Sequence, residues 1–145
     1  MILEKLDRSR ILLKLDEMIQ YVEELRDMLP EEEEYQHNLI KRRASEKTIE
    51  VAIESLIDVS AMIVSSQQLG LPANEGNIFD ILIENGILSK KLGEILKDMK
   101  GFRNILIHRY ARIDDVIVHH NLSNFLDDFY EFKDAVESYI RKQKS

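Results

Sequence analysis

The sequence contains no cysteine and no long apolar run. The absence of cysteine excludes disulfide bonds and thiolate metal sites. No run of apolar residues approaches the roughly 20 that a membrane-spanning helix requires. The first seven residues, Met1 to Asp7, also lack the layout of a secretory signal peptide. These absences together predict a cytoplasmic protein.

The sequence also lacks internal repeats, low-complexity linkers and the strict alternation of polar and apolar residues that marks strands. A chain of 145 residues is long enough to bury about 68–70% of its unfolded surface, so it can fold without covalent cross-links. We therefore predict a single domain spanning residues 1–145.

Charge is distributed unevenly along the chain, whose net charge is −7. The segment from Ser89 to Arg112 has a local charge of +5, which leaves −12 for the remainder. Its basic residues are Lys90, Lys91, Lys97, Lys100, Arg103, Arg109 and Arg112. A small basic zone on an acidic body suits local binding of RNA and contact with a partner protein, although a solvated helix face would explain the lysines equally well.

Apolar residues recur at helical spacing in the first half of the chain. The pattern predicts a first helix that ends near Pro30 and a second helix from about Tyr35 to Ser65. The first apolar stripe consists of Ile11, Leu15, Met18, Val22, Leu25 and Leu29, and the second of Ile49, Ala52, Ile53, Leu56, Val59, Ile63 and Val64. Between them, the acidic run Glu31 to Glu34 suits either the first turn of a helix or a solvated loop.

Three acids lie four residues apart on the predicted second helix: Glu50, Glu54 and Asp58. Like charges at this spacing repel each other by a few tenths of a kcal/mol per pair, so the stripe requires water or cations nearby. It either faces solvent or faces basic residues of the helix that carries Arg103 and His108, or of a second subunit.

The second half of the chain predicts three further helices. Turn residues between Gln67 and Asn77 indicate a loop, after which Asn77 could cap a short helix that stops at Asn85 and Gly86. Ser89 caps a fourth helix, and Asp114 with Asp115 starts the last one. The fourth stripe is Leu92, Ile95, Met99, Phe102 and Leu106, and the last is Leu122, Phe125, Phe129, Phe132, Val136 and Tyr139. The predicted fold is an all-α up-down bundle of about five helices.

Groups suited to phosphodiester chemistry concentrate in residues 103 to 110, Arg-Asn-Ile-Leu-Ile-His-Arg-Tyr. On an ideal helix, Arg103 and His108 differ by about 140° in direction and about 7.5 Å along the axis. They flank a face centred near Ile107, and an apolar side chain there suits packing against a symmetry mate. Asn104 lies four residues before His108, so its amide could hold the imidazole in one tautomer.

Cleavage of RNA without a metal requires a base for the 2′-hydroxyl, an acid for the leaving 5′-oxygen and cations for the charge on the phosphate. Histidine titrates near neutral pH and can serve either proton-transfer role. The planar guanidinium of arginine suits the phosphate and its transition state. One arginine and one histidine per chain are few for this task, and a dimer would supply two of each.

The segment around these residues resembles the signature of the HepT-like toxins, a branch of the HEPN superfamily. Phe102, Arg103 and Asn104, followed by Leu106, Ile107, His108 and Tyr110, match it at each characteristic position. The resemblance extends to the helix before it, the short third helix, the acidic restart at residues 114–115 and the aromatic last helix. It implies a HEPN-like bundle that dimerises through the helix carrying the motif.

The resemblance also implies a function. HepT-like proteins are toxins of type VII toxin–antitoxin pairs and act as metal-independent endoribonucleases, with no cofactor. Their antitoxin partner is a minimal nucleotidyltransferase that silences the toxin by transferring AMP to a tyrosine, and Tyr110 matches that tyrosine. The family's catalytic pair corresponds to Arg103 and His108, with Asn104 in support. We also expect Lys100 and Arg109 to contact RNA phosphates.

Several other interpretations fit the same residues. The protein could be a nucleotide-binding or scaffolding subunit of a nucleotidyltransferase complex, in which Arg103 and Lys100 hold a phosphate without catalysis. It could also be a bundle that only mediates protein contacts through its acidic stripe. Asp115 and His119 lie four residues apart and His120 follows, a geometry that could ligate a metal, but no third ligand is apparent at helical spacing. Tyr110 could be a rim aromatic that packs on the bundle or stacks on a base.

Overall fold

Six α-helices make up most of the part of the chain that the structure describes, which is residues 4–108 and 114–143 without the side chain of Leu6. No strand occurs within these residues of the computed structural model. The helices are α1 (Lys5–Met28), α2 (Glu32–His37), α3 (Leu39–Ser66), α4 (Glu75–Glu84), α5 (Lys90–Ile107) and α6 (Asp115–Lys142). The prediction of an all-α bundle is confirmed.

The two long helices of the first half of the chain, α1 and α3, pack against each other. The predicted stripe of α1 is buried, with Ile11, Met18 and Val22 fully inaccessible. On α3, Ile53 and Leu56 are likewise inaccessible. Full burial of a side chain of this size contributes about 1.5–3 kcal/mol to stability. The helical period therefore identified the faces that form the core.

The predicted second helix is two helices, α2 and α3, which meet at Asn38. The backbone of Asn38 is extended (φ −117°, ψ 95°), and its side-chain oxygen accepts a hydrogen bond of 3.0 Å from the backbone N–H of Lys41. This N-cap starts α3 and ends the continuous helix that the apolar pattern had predicted. The acids Glu32, Glu33 and Glu34 occupy the first turn of α2, where the helix macrodipole favours negative charge.

The short helix α4 begins earlier than predicted. Asn74, not Asn77, is its N-cap, and the Asn74 side chain accepts a 2.9 Å hydrogen bond from the Asn77 backbone N–H. The side chain of Asn77 instead accepts from the backbone N–H of Ala73. Two asparagines three residues apart are equally good caps in sequence, and the structure places the helix start at the first. Glu75 consequently lies in the first turn of α4.

The helices α4 and α5 form a closely packed hairpin. Ser89 caps α5 as predicted, accepting a 3.1 Å hydrogen bond from the backbone N–H of Leu92. Gly93 is buried against α4, and a Cβ atom there would lie only 2.6 Å from Cγ1 of Ile83. The absence of a side chain at Gly93 therefore allows the backbones of α4 and α5 to approach.

The last helix, α6, packs against α5 and α1. It starts at Asp114, whose side chain accepts a 2.9 Å hydrogen bond from the backbone N–H of Val116, as the acidic restart predicted. The rings of Phe102 and Phe125 lie 5.7 Å apart between α5 and α6. Arg26 of α1 lies 5.1 Å from the ring centroid of Tyr130 on α6. Within the described ranges, no helix is sufficiently long and apolar to span a membrane.

The acidic stripe of α3 has cations from its own helix and from α1 as neighbours. Glu50 forms a 2.6 Å ion pair with Lys47, and Asp58 lies 3.8 Å from Lys14 of α1. These cations are not on α5, so the alternative in which the stripe faces the helix carrying Arg103 and His108 does not hold for Glu50 and Asp58. Asp58 is largely exposed, as expected for the water-facing alternative.

Candidate active site

Arg103 is a buried cation in the last turns of α5. It is only 8% exposed, which is low for an arginine. Its Nη2 donates a 2.6 Å hydrogen bond to Oε1 of Glu75 on α4, and its Nε donates a 3.1 Å hydrogen bond to Oδ1 of Asn104. Charge-assisted hydrogen bonds of this kind offset the cost of removing a guanidinium from water.

The packing on both sides of Arg103 keeps its backbone in place. Met99, Phe102 and Leu106 lie on the apolar face of α5 and are buried in the core. Glu75 is presented by the first turn of α4, whose position follows from the Asn74 cap and the close α4–α5 packing. Arg103 and Glu75 therefore meet through tertiary packing, although they are 28 residues apart in sequence.

Lys100 lies one turn before Arg103 and near the start of α4. A Cβ atom at Gly76 would be 4.0 Å from the Nζ of Lys100, which places the ammonium beside the first turn of α4. Two cations and the positive end of the α4 macrodipole thus lie near one another, with Glu75 as the nearby acid. This arrangement suits an approaching phosphate group.

The basic zone is partly neutralised by acids of α4 and α5. Lys97 forms ion pairs with Asp80 of α4 and with Glu94 of its own helix. The hydrogen bond from Lys97 lowers the pKa of Asp80, and the same bond raises the pKa of Lys97. Because Lys97 and Arg103 both have carboxylate partners, the local positive charge is smaller than the sequence count indicates.

His108 lies where α5 ends. It is the C-cap residue, is exposed, and its backbone N–H donates a 2.9 Å hydrogen bond to the carbonyl oxygen of Asn104. The side-chain oxygen of Asn104 accepts a 3.1 Å hydrogen bond from Nε of Arg103, so this amide contacts the arginine. That Asn104 also orients the imidazole of His108 remains a prediction. The motif thus combines a buried arginine inside the helix with an exposed histidine at its end.

Four apolar side chains at the end of α5 and the start of α6 are exposed. Ile105 and Ile107 of α5 are 54% and 43% exposed, and Val116 and Ile117 of α6 are 43% and 58% exposed. Ile107, at the centre of the face predicted between Arg103 and His108, is exposed.

Two residues of the predicted site, Arg109 and Tyr110, lie outside the residues that the structure describes. Arg112 of the basic zone lies outside them as well. Their predicted roles as phosphate ligand and modification site remain predictions.

Glu75 is the site residue that the sequence analysis missed. An acid just after a capping asparagine is explained by the helix macrodipole, so nothing local linked it to Arg103. The periodicity of α4 and α5 identifies their apolar faces but does not say which polar residues meet at the edge of the contact. Only the packing of the two helices brings Glu75 to Arg103.

The three residues considered as metal ligands have other contacts. Asp115 lies 3.8 Å from Nε of Arg42, and Nε2 of His119 donates a 2.8 Å hydrogen bond to the carbonyl oxygen of Pro30. Nε2 of His120 accepts a 2.8 Å hydrogen bond from the amide of Asn124. In residues 4–108 and 114–143, no group of three acidic or histidine side chains could hold a metal ion.

The chain is similar in sequence to one protein family and to individual named proteins. The model of the family described as ribonuclease HepT-like matches residues 18–136, a range that includes α4 and α5. Over 85 residues, 59% of this chain, the sequence is 35% identical to the mRNA nuclease HepT of Shewanella oneidensis, and the match spans 64% of that protein, just under two thirds. Over 91 residues, 63% of this chain and 68% of the other, it is 34% identical to a candidate RNase of Archaeoglobus fulgidus.

The fold is similar to that of a solved complex. The tri-AMPylated HEPN toxin of Shewanella oneidensis, bound to an MNT antitoxin, superimposes with a TM-score of 0.83 at 25% sequence identity. The match covers 88% of this chain and 96% of the other. The similarity therefore extends over nearly the whole bundle of that protein.

Proposed function

Because the chain belongs to the ribonuclease HepT-like family, we propose that it is the toxin of a type VII toxin–antitoxin pair and a metal-independent endoribonuclease. The observation that carries this proposal is the placement of the motif. Arg103 is buried and held by Glu75 and Asn104, and His108 is exposed at the end of the same helix. A fixed cation and an exposed histidine on one helix supply a donor for the phosphate and one of the two proton-transfer groups that metal-free cleavage of RNA requires.

The proposed reaction is a transfer within the RNA strand. A base removes the proton of a 2′-hydroxyl, and its oxygen attacks the adjacent phosphorus. The bond from phosphorus to the 5′-oxygen breaks, an acid protonates that oxygen, and a 2′,3′-cyclic phosphate remains. His108 serves as one of these proton-transfer groups, and Arg103 stabilises the negative charge that grows on the phosphate. Lys100 and Arg109 hold neighbouring phosphates.

A homodimer would complete this site. Exposed apolar side chains occur at the end of α5, at Ile105 and Ile107, and at the start of α6, at Val116 and Ile117. Packing the end of α5 against a second copy would bring two motifs to one cleft and would provide two histidines, one as base and one as acid. Ile107 is 43% exposed, and packing against a second copy would remove this apolar side chain from water, which is favourable.

Regulation by AMP transfer is the second part of the proposal. The solved Shewanella HEPN toxin is tri-AMPylated and bound to an MNT antitoxin. We infer that a minimal nucleotidyltransferase silences this chain by modifying Tyr110. The added phosphoryl group would place bulk and negative charge close to Arg103, where the RNA phosphate binds. Mass spectrometry after incubation with the nucleotidyltransferase and ATP should show AMP on wild type and not on Tyr110→Phe at that position.

The test of the ribonuclease is cleavage of total RNA in excess chelator by wild type, His108→Ala and His119→Ala. Loss of the proton-transfer group should lower the rate by about 10²–10⁴ in His108→Ala. The control replaces a histidine of α6 that bonds to the Pro30 carbonyl, and it should cleave at the wild-type rate when folded. Absence of chelator-resistant cleavage by unmodified, folded wild type would refute the catalytic proposal.

The scaffolding alternative predicts a different result. Lys100 and Arg103 both lie beside the first turn of α4, so they could hold the phosphate of a nucleotide without chemistry. In that case wild type would bind AMP or ATP measurably by calorimetry, and His108→Ala would bind as tightly as wild type. Neither protein would cleave RNA.

A further inference from the structure

The contact between Glu75 and Arg103 is more specific than a surface ion pair. Arg103 is 8% exposed, whereas the side chain of Glu75 is 45% exposed. Among the residues that the structure describes, Glu75 is the one carboxylate within ion-pair distance of this guanidinium. Pairs in which both partners are exposed usually contribute little, but a buried arginine depends strongly on its partner.

The hydrogen bonds made by Arg103 leave part of the guanidinium available. Nε donates to Asn104 and Nη2 donates to Glu75. A guanidinium has five N–H groups, so both hydrogens of Nη1 and one of Nη2 have no acceptor among the described residues. Two contacts at different nitrogens fix both the position and the plane of the group.

We propose that Glu75 is a positioning residue, which together with Asn104 holds the plane of Arg103 so that its remaining N–H groups face the scissile phosphate. This inference rests on the proposed ribonuclease function and assigns a role in it to α4. Glu75 is itself well placed, because the first turn of α4 favours negative charge and Asn74 caps that turn. The carboxylate does not need to touch RNA for this role.

Removal of Glu75 should affect RNA affinity and cleavage rate differently, depending on whether Glu75 acts through its charge or by positioning Arg103. A carboxylate beside the phosphate site repels RNA, so its loss should leave the affinity unchanged or increase it. If Glu75 holds Arg103 in its productive plane, its loss should lower the rate even when RNA is saturating. A misplacement of about 1 Å in a catalytic group can lower a rate about 100-fold.

The first experiment measures single-turnover cleavage and RNA affinity in excess chelator for wild type, Glu75→Ala, Glu75→Gln and Glu84→Gln. The last is a matched control, because Glu84 is exposed and lies at the other end of α4. We expect Glu75→Ala to cleave about 10- to 100-fold more slowly at saturation, with Kd unchanged or lower. Glu75→Gln should stay within about 5-fold of wild type, since its carbonyl still accepts a hydrogen bond, and the control should match wild type.

The second experiment observes Arg103 itself, independently of activity. NMR spectra of ¹⁵N-labelled protein report on the guanidinium nitrogens, and the Arg103 signals are assigned as those missing in Arg103→Lys. A guanidinium held by Glu75 rotates slowly, so its two Nη atoms give separate signals. We expect these signals in wild type and Glu84→Gln and a single averaged signal in Glu75→Ala. Thermal melting of each variant verifies that it is folded.

The outcomes separate this inference from the proposed function. If wild type cleaves RNA and Glu75→Ala cleaves equally fast at saturation, Glu75 does not position Arg103, and the ribonuclease proposal stands. A loss in Glu75→Gln as large as that in Glu75→Ala would also contradict positioning by a hydrogen bond. If folded, unmodified wild type does not cleave RNA, the proposed function fails together with the role of Glu75 in it, whatever the NMR signals show.

Discussion

Two arginines connect helices at different places in the bundle, and their surroundings differ. Arg42 of α3 donates hydrogen bonds to the carbonyl oxygens of Tyr35 and Gln36, at 3.3 and 2.9 Å, and lies 3.8 Å from Asp115. Arg103 of α5 donates to two side chains, those of Glu75 and Asn104. Both arginines are largely buried, with side chains 17% and 10% exposed.

The two arginines differ in the kind of group that accepts their hydrogen bonds. The last carbonyl groups of a helix have no partner within the helix, and Arg42 supplies one for the end of α2. Its contacts therefore serve the fold. Arg103 contacts no backbone carbonyl among the described residues, and part of its guanidinium remains available. Both arginines are buried and charged, so these two properties do not distinguish a ligand site. The available N–H donors of Arg103 do.

The largest expected effects, one on the cleavage rate and one on stability, come from replacing each arginine by alanine. Arg103→Ala should lower the rate of RNA cleavage by about 10²–10³, as loss of a preorganised cationic donor does. Arg42→Ala should lower the free energy of unfolding by about 1–3 kcal/mol, or Tm by about 2–10 °C, and should leave the rate of the folded protein unchanged. Cleavage assays and thermal melting measure both quantities.

Arg103→Lys provides a control for this pair, because it keeps the charge and loses the planar fork. It should remain well below wild type in rate. A similar loss of rate in folded Arg42→Ala would contradict the distinction between the two arginines.

A smaller effect is expected at the glycines of α5. Gly93→Ala should force α4 and α5 apart, because its Cβ would overlap Ile83. Overpacking costs about 1–3 kcal/mol, of which up to about 1 kcal/mol is regained through helix propensity. We expect a lower Tm and slower cleavage, because Glu75 and Arg103 meet across this contact.

Gly101→Ala is the matched control for this prediction. A Cβ atom at Gly101 would meet no described atom within 4 Å, so helix propensity should raise Tm by about 2–4 °C. When Ile83 is also replaced by alanine, Gly93→Ala should no longer lower Tm, because the side-chain atoms that its Cβ would overlap are absent. If Gly93→Ala raised Tm as Gly101→Ala does, the close approach of α4 and α5 would not be required.

The smallest effect is expected for Asp80→Asn, which removes the exposed ion pair of α4 with Lys97. The hydrogen bond from Lys97 lowers the pKa of Asp80 in the folded state. This carboxylate therefore stabilises the fold above its unfolded pKa, and the contribution is lost as pH falls through the lower folded pKa. Tm should decrease slightly at pH 7, and the difference from wild type should shrink as the pH approaches about 3. A difference that grows with acidity would contradict this assignment.

Local patterns predicted those parts of the fold that depend on neighbours in sequence. The spacing of apolar residues identified the buried face of α1, and Ser89 and Asp114 were recognised as caps. The break between α2 and α3 was missed, because Asn38 was not recognised as an N-cap. Asn77 was predicted as the cap of α4 in place of Asn74, since both residues are suitable caps.

The sequence by itself determined that the chain is helical, which faces are apolar, and that Arg103 and His108 lie at the end of one helix. These properties follow from the period of the helix and from residue chemistry. The tertiary structure decided that Glu75 meets Arg103 and that Asn104 supports the arginine. Such contacts depend on how closely two helices pack and in which register, and at α4 and α5 that approach is possible because Gly93 has no side chain to oppose Ile83.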